Sequence, residues 1–368
     1  MKNLLAILLM VLSWSAYSQN CTQKLNQAED DYEAGRLLGI PDQISTCILN
    51  KSFSTEEEIR ARKLLTLVYI FTDQEAQAEQ AMINLLKEDP EHRLDPQVDP
   101  AELFFLYDQF RTEPIFRISF KGGLNTSYVS QIEEYATNNT LVHDNFYNGS
   151  TTDGNDSYQI PGDTTSTDYD ALSGRNYNIW AEILFQRKVY EDVDVSAGFQ
   201  YRMSSYNSDS YVNQLNLNNR VTNSQVYLRM PIQGSYTLWS TNRDRILLPY
   251  GFLGGSLDYL VQATASGARA GGTAYNTSTE INLIETNQVN RFNYSLTAGL
   301  GVKIRFKTHF FTVEGRYDTG RRNYINGSER YTNQEYTFDI GYVEPALSMN
   351  FISVSLGYTM SIYHPKKF

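Results

Sequence analysis

From Ile115 onward, apolar and polar residues alternate with a period of two, and this alternation limits the fold more than any other feature of the sequence. In 294–306, Tyr, Leu, Ala, Val, Ile and Phe share one face, while Ser, Thr, Gly, Lys and Arg share the other. Stretches 193–203 and 352–362 repeat the pattern. Successive side chains of a strand point to opposite faces of a sheet. The pattern therefore predicts strands that each have one apolar face.

The composition indicates what covers that apolar face. The chain has 27 Tyr and 23 Gly, and charged residues recur on the polar face of the strands. A soluble β-sandwich would bury the apolar faces in a shared core, whereas a transmembrane barrel turns them to lipid and keeps a polar, Gly-rich face inside. Recurring charges on one face and aromatic residues on the other favour the barrel. The β-sandwich stays open as the alternative.

Eight strands are predicted, near residues 115–130, 177–189, 193–205, 224–239, 246–261, 293–307, 309–318 and 349–363. The connections alternate between short ones (190–192, 240–245 and around 308) and long ones (131–176, 206–223, 262–292 and 319–348). Short turns on one rim and long loops on the other are typical of outer-membrane barrels. The prediction is an eight-stranded antiparallel transmembrane β-barrel over 114–368, with both of its ends on the periplasmic side.

The inward face of this barrel is expected to hold a network of charged side chains. An eight-stranded barrel is just wide enough for its own side chains, and buried charges must pair. We therefore expect a salt-bridged plug that closes the lumen. The alternative is a small pore, a narrow path that prefers anions, since Arg and Lys predominate. The predicted network consists of Arg117, Lys121, Glu182, Arg202, Arg229, Lys303, Arg305, Glu314 and Arg316.

Residues 1–18 have the features of a signal peptide. Lys2 supplies a positive charge, Leu4–Trp14 is apolar, and Ala16 and Ser18 form a small-x-small cleavage site. The apolar run is shorter than the roughly 20 residues that a transmembrane helix needs; an N-terminal anchor is the alternative. The mature chain is expected to begin at Gln19 and to reach the outer membrane of a Gram-negative bacterium.

Residues 19–113 are predicted to form a helical periplasmic domain. Ser54 and Glu57 make a capping box, and a later helix is expected to begin with Asp99 as its cap and Pro100 at its first position. The stretch resembles the tetratricopeptide repeat, in which Leu65, Tyr69, Ala78 and Pro90 would be the buried leucine, tyrosine, small alanine and closing proline. This resemblance implies a groove that binds another protein. The alternative is a structural plug or spacer.

The two cysteines, Cys21 and Cys47, are expected to form one disulfide that closes a helical hairpin in an oxidising compartment. Lipidation of Cys21 stays open as the alternative. No metal site is predicted, because the four histidines are scattered and none is close in sequence to either cysteine.

No catalytic or cofactor-binding residue is predicted, and the protein is expected not to be an enzyme. None of His92, His143, His309 and His364 lies inside a strand beside a serine and an acid. A site in the first long loop that uses His143 is the alternative, and calcium binding by the acidic residues of that loop is another. The net charge of −11 argues against a nucleic-acid partner. The expected partners are outer-membrane lipid and a periplasmic or outer-membrane protein.

The barrel half resembles the PorT-type outer-membrane β-barrel family of Bacteroidetes. The matching stretches are Tyr227–Ile232, Leu248–Gly255, Leu300–Val302, Glu314–Tyr317 and Ser353–Tyr358. The resemblance covers Ile115–Phe368 and implies an accessory part of the type IX secretion and gliding apparatus. The helical domain in front departs from the family's short pattern.

Overall fold

The computed structural model describes residues 20–135, 141–142, 165–169, 177–212, 217–240, 245–270, 276–277, 280–333 and 343–367. The signal peptide predicted at 1–18 and the loop histidine His143 lie outside these residues. The chain divides into two compact units. One consists of the residues up to Ile115 together with 362–368, and the other of Phe116–Ser361.

The described part of the first unit contains five helices. They are α1 (20–33), α2 (Ile40–Leu49), α3 (Thr55–Phe71), α4 (Glu75–Glu88) and α5 (Ala101–Tyr107). The capping box predicted at the start of α3 is present, because the Glu57 amide donates to the Ser54 hydroxyl and the Ser54 amide donates to the Glu57 carboxylate. No helix in the described residues is long and apolar enough to cross a membrane.

The cap predicted for α5 at Asp99 is wrong. Pro100 precedes the first helical residue, and no side chain caps that helix. The Asp99 carboxylate instead accepts from the Asp95 amide at 2.8 Å and lies 2.5 Å from Lys63 Nζ. The Asp99 carboxylate therefore holds the turn before α5 in contact with Lys63 of α3.

The predicted disulfide is confirmed: Cys21 in α1 is bonded to Cys47 in α2, and their Cα atoms are 5.8 Å apart. It lies in the first of two apolar clusters of this unit, which also contains Leu25, Ile40, Ile44 and Leu64. The second cluster joins α3, α4 and α5 through Leu67, Ala78, Met82, Leu85, Leu86, Leu103, Leu106 and Phe110.

The last residues of the chain pack against these helices. The Ile115 amide donates to the Ile362 carbonyl at 2.9 Å, and the Arg111 amide donates to the Lys366 carbonyl at 3.2 Å. The Tyr363 hydroxyl also donates to the Glu91 carboxylate. The structure thus groups 362–368 with the helices, whereas the sequence analysis placed these residues with the barrel.

The second unit is a ring of eight antiparallel strands. They are β1 (Phe116–Tyr135), β2 (Tyr177–Tyr190), β3 (Val193–Val212), β4 (Leu217–Thr237), β5 (Leu247–Ala270), β6 (Phe292–Phe306), β7 (His309–Gly320) and β8 (Ala346–Ile362). Each strand pairs with the next, and β8 neighbours β1. The β5–β6 pairing runs over 13 residue pairs and joins the two ends of the strand order.

Several strands run further toward the long connections than the alternation predicted. The strand β5 reaches Ala270, and β3 reaches Val212. Neighbouring strands continue to pair there, with Tyr211 opposite Asn218 and Arg220 opposite Ala268. The segment Thr165–Tyr169 adds a further short strand on β3. Paired backbone groups keep these segments extended beyond the predicted ends of the strands.

The two faces of the ring are chemically opposite. Outward side chains are large, apolar and exposed: Leu300 is 75% exposed, Leu253 70% and Leu356 68%. Inward side chains are buried and mostly polar; along β2, Glu182 and Gln186 point inward together with Trp180 and Leu184, and they alternate with the outward Ile183 and Phe185. Apolar exposure on this scale is expected of a surface that lipid covers.

Two glycines on the inner face of β6 make room for aromatic rings of β5. Gly299 lies opposite Phe252, and Gly301 lies opposite Tyr250. A Cβ atom at Gly299 would come within 2.3 Å of the Phe252 ring, and one at Gly301 within 2.8 Å of the Tyr250 ring. The alternation of small and large residues therefore fills the narrow interior.

We expect Gly299→Val to lower the free energy of unfolding by about 1–3 kcal/mol, the usual cost of overpacking. The effect can be measured as the temperature at which the purified protein changes its mobility on gels. Gly315→Val is the control, because a Cβ atom there meets nothing within 4 Å. Equal losses in both variants would contradict the packing argument.

Candidate functional site

The interior of the ring holds ion pairs at three successive levels between its short-turn end and its long-connection end. At the short-turn end, Asp194 on β3 lies between two cations. Arg117 Nη1 is 3.0 Å from one carboxylate oxygen, and Lys303 Nζ is 3.2 Å from the other. Lys303 also donates to the Thr237 hydroxyl at 2.9 Å.

The middle level is centred on Glu314 of β7. Lys121 Nζ lies 2.7 Å from one of its oxygens, and Arg316 Nη2 lies 2.8 Å from the other. Both terminal nitrogens of Arg316 also donate hydrogen bonds to the Glu182 carboxylate, at 2.8 and 3.0 Å. The Tyr250 hydroxyl donates to Glu314 at 2.6 Å. Four strands are cross-linked at this level.

The third level is centred on Asp318 of β7. Arg229 Nε is 2.7 Å from Asp258, and its Nη2 is 3.2 Å from Asp318. Arg202 Nη2 lies 2.9 Å from the other oxygen of Asp318. The Arg202 guanidinium is fully buried and lies 4.6 Å from the centre of the Phe351 ring.

The long-connection end of the ring is filled by an apolar cluster, here called the mouth cluster. Strand residues such as Tyr206, Val221, Tyr227, Leu260 and Phe351 contribute to it from the inner wall. Residues Leu283, Val289, Tyr324 and Ile325 come from the long connections. Backbone bonds hold those connections in place: Tyr324 N donates to Leu347 O, and Asn290 N donates to Tyr324 O, both at 2.8 Å.

Glu344, in the connection between β7 and β8 and outside the membrane-spanning strands, is half-buried beside the mouth cluster. Its carboxylate accepts from Asn223 Nδ2 at 3.0 Å and from the Tyr206 hydroxyl at 3.4 Å. Burial raises the pKa of Glu344 to about 7, although both hydrogen bonds and the charge of Arg330 act in the opposite direction. This acid therefore changes its charge near neutral pH.

The family described as "Outer membrane protein beta-barrel domain" matches residues 107–326, which is more than half of the chain. The chain belongs to this family. The expected location in the outer membrane is thereby confirmed. No curated protein matches the sequence.

Several solved outer-membrane barrels are similar at low identity. Neisserial surface protein A is 9% identical, with 67% of this chain and 97% of that one covered and a TM-score of 0.27. Ail of Yersinia pestis is 10% identical, with 67% and 99% covered and a TM-score of 0.25. The barrel domain of Pseudomonas aeruginosa OprF is 9% identical, with 66% and 98% covered and a TM-score of 0.21. These likenesses carry no inference about function.

Eight of the nine charged residues expected in the lumen of this outer-membrane barrel belong to the three levels of ion pairs. Arg305 lies half-buried near the short-turn end, where its guanidinium is 5.6 Å from the centre of the Phe310 ring and donates to the Ser240 carbonyl. The predicted network omitted three carboxylates, Asp194, Asp258 and Asp318. Asp258 and Asp318 could have been found from their alternation with Leu257, Tyr259 and Tyr317. These three acids offset most of the excess of Arg and Lys that motivated the anion path.

The helical residues expected to pack are found in both apolar clusters. Leu65 is half-buried against the first cluster, Tyr69 is half-buried against the second, and Ala78 is buried in the second. Pro90 follows the end of α4 and is half-buried. No group of three or more potential metal ligands occurs in the part of the chain that the structure describes.

The described histidines lie apart from the lumen network. His92 Nδ1 is 3.0 Å from Asp89 in the helical unit. His309 begins β7 at a short turn, with its ring 5.6 Å from that of Tyr358, and His364 lies in the tail.

We expect Arg316→Met to lower the free energy of unfolding by about 3–5 kcal/mol, because Glu182 and Glu314 would lose a shared cation inside the barrel. Thermal unfolding of the purified protein measures the loss. Adding Glu182→Gln to this variant should recover part of the lost stability, since it removes the negative charge that Arg316 no longer compensates. Arg187→Met, at an exposed residue of β2, is the control. Similar losses in both single variants would contradict a structural role for the network.

Glu344 should make the mouth cluster sensitive to pH. Its raised pKa stabilises the protonated, folded state, so its contribution is complete below a pH of about 4.5 and is lost as the pH rises to about 7. Between pH 5 and 8, Glu344→Gln should show a smaller fall in unfolding temperature than the unmodified protein. Glu280→Gln, at an exposed acid of a neighbouring connection, should retain the full fall. An unchanged pH profile in Glu344→Gln would refute the assignment.

Proposed function

We propose that this protein is a non-enzymatic component of envelope assembly or secretion, which binds a periplasmic protein through its helical unit. The filled lumen carries the proposal. The side chains of Lys121, Arg202, Glu314 and Arg316 are at most 3% exposed, and each contacts an opposite charge. The mouth cluster occupies the interior beyond them.

This interior argues against the alternative of a small pore. An ion would have to displace Arg316 from two carboxylates, or Asp318 from two arginines, before it passed. Breaking such buried pairs costs several kcal/mol each. A barrel of this kind serves better as an anchor than as a channel.

The helical unit supplies a surface for a partner. Leu38 is 85% exposed, Leu49 81%, and Val98 and Phe105 are 75% exposed. Phe105 is one of seven residues in α5, whose Leu103 and Leu106 pack into the second apolar cluster. The resemblance to tetratricopeptide repeats supports a binding role for these helices. The resemblance to the PorT-type family supports a role in secretion or gliding.

The proposal is tested by crosslinking and pull-down of the full-length protein from native membranes. We expect Phe105→Asp to reduce recovery of a periplasmic protein at least ~10-fold, because a buried aromatic anchor often dominates an interface. Glu102→Gln, on the same short helix, should leave recovery unchanged. Both variants should remain heat-modifiable on gels, since neither residue lies in the barrel.

Two results would contradict the proposal. The first is full recovery of every partner with Phe105→Asp and also with Val98→Asp. The second is steady ion conduction by the purified protein in a planar bilayer, which would make the protein a pore.

A further inference from the structure

The outer wall of the barrel contains a groove that crosses six neighbouring strands, β1 to β6. It holds about 1250 Å³. This exceeds the roughly 300–1,000 Å³ of ordinary small-molecule pockets. Outward side chains of successive strands form its floor, and the register places Ile183 beside Phe120 and Phe199, and Met230 beside Leu257. The groove is lined by Phe120, Ile183, Phe199, Leu228, Met230 and Leu257, among others.

One end of the groove is aromatic and cationic. Tyr259, Phe292, Tyr294 and Arg322 line it there, on the side of the long connections. The rings of Tyr259 and Phe292 lie 4.9 Å apart, and Arg322 Nη1 donates to the Phe292 carbonyl at 3.0 Å. In membrane barrels, aromatic girdles of this kind are typical of the boundary between hydrocarbon and headgroups.

Two further arginines, Arg291 and Arg321, are hydrogen-bonded to tyrosines that line this end. Arg291 Nη1 lies 3.4 Å from the Tyr259 hydroxyl, and the Arg321 amide donates to the Tyr294 carbonyl at 3.0 Å. Arg291, Arg321 and Arg322 are all exposed, and none is ion-paired with a carboxylate among the described residues. The cations at the three lumen levels are each paired with an acid, whereas these three arginines near the long connections have no acidic partner among the described residues.

We propose that this groove binds a phosphorylated glycolipid of the outer leaflet, with acyl chains along the apolar floor and phosphates against Arg291, Arg321 and Arg322. Arginine matches phosphate geometry with two parallel hydrogen bonds, which is stronger than a single contact. Three arginines fit a headgroup with more than one phosphate, and the volume fits more than two chains. Both features favour a glycolipid over a glycerophospholipid.

The proposal rests on the proposed function, in which the helical unit is periplasmic, and on the orientation expected from the sequence, in which both barrel ends are periplasmic and the long connections are at the cell surface. That orientation is tested separately with an impermeant thiol reagent on whole cells. A cysteine at Ser328, in the connection after β7, should react, and one at Glu191, in a short turn, should not. The native cysteines are disulfide-bonded and do not interfere. Reaction at Glu191 alone would overturn the orientation and, with it, the outer-leaflet source.

Binding is tested on the full-length protein in detergent, by native mass spectrometry with lipid A that carries two phosphates. The variant Arg291→Gln/Arg321→Gln/Arg322→Gln should lose affinity at least about tenfold, because three charge-assisted contacts are removed. The control Arg187→Gln/Arg245→Gln, at exposed arginines near the short-turn end, should retain full affinity. Dephosphorylated lipid A should bind the unmodified protein and the triple variant equally weakly.

The apolar floor is tested with Met230→Trp, which fills the groove and should weaken binding while the arginines remain. Leu356→Trp places the same ring on an outward residue of β8, which does not line the groove, and should have no effect. Equal binding by the triple variant and the unmodified protein would overturn the proposal. So would tighter binding of phosphatidylglycerol than of lipid A, which would assign the groove to a glycerophospholipid.

Discussion

The need to satisfy every backbone hydrogen bond in hydrocarbon is the first constraint on this architecture, ahead of any side-chain interaction. In hydrocarbon there is no water to satisfy an unpaired N–H or C=O group, so a sheet that crosses a membrane must leave no free edge. The β5–β6 pairing meets this requirement by joining the two ends of the strand order. A ring of eight strands is only wide enough for its own side chains. That width explains why side chains fill the lumen and why glycines lie opposite Phe252 and Tyr250. It also explains why the mouth cluster can fill the end of the ring.

The ion pairs then fix the register of the ring. Asp194, Glu314 and Asp318 each lie between two cations, and Lys121 and Glu314 are separated by 193 residues in sequence. A slip of one residue between two strands would turn such charges toward lipid and apolar residues inward. Buried pairs are weak evidence for stability, because desolvation offsets most of their attraction. Their value here lies in specifying one register over its neighbours.

Structural features that follow from a local sequence pattern could be predicted from the sequence. Features that depend on contacts between residues far apart in the chain could not. The alternation of apolar and polar residues located eight strands. Because every second residue of a strand points inward, the same alternation placed Arg202, Arg229 and Arg316 inside. The two cysteines predicted the disulfide. The mouth cluster was not predicted, because Leu283, Val289, Tyr324 and Ile325 lie in connections without periodicity and become buried only when the ring surrounds them. The Asp99 cap was wrong for a similar reason: Lys63, far away in sequence, competes for that carboxylate.

A filled barrel moves function to its surfaces. An ion that crossed the described interior would have to break buried ion pairs, and the proposed function accordingly assigns recognition to the helices and the outer surface. Arginine illustrates the division. Inside the ring, Arg229 contacts Asp258 and Asp318, whereas Arg291, Arg321 and Arg322, near the long connections, have no such partner among the described residues. The helical unit has two separate apolar clusters, one of which contains a disulfide that restricts its unfolded chain. Val98 and Phe105 are exposed although Leu103 and Leu106 of the same region are buried in the second cluster, so the folding of this region does not depend on burying them.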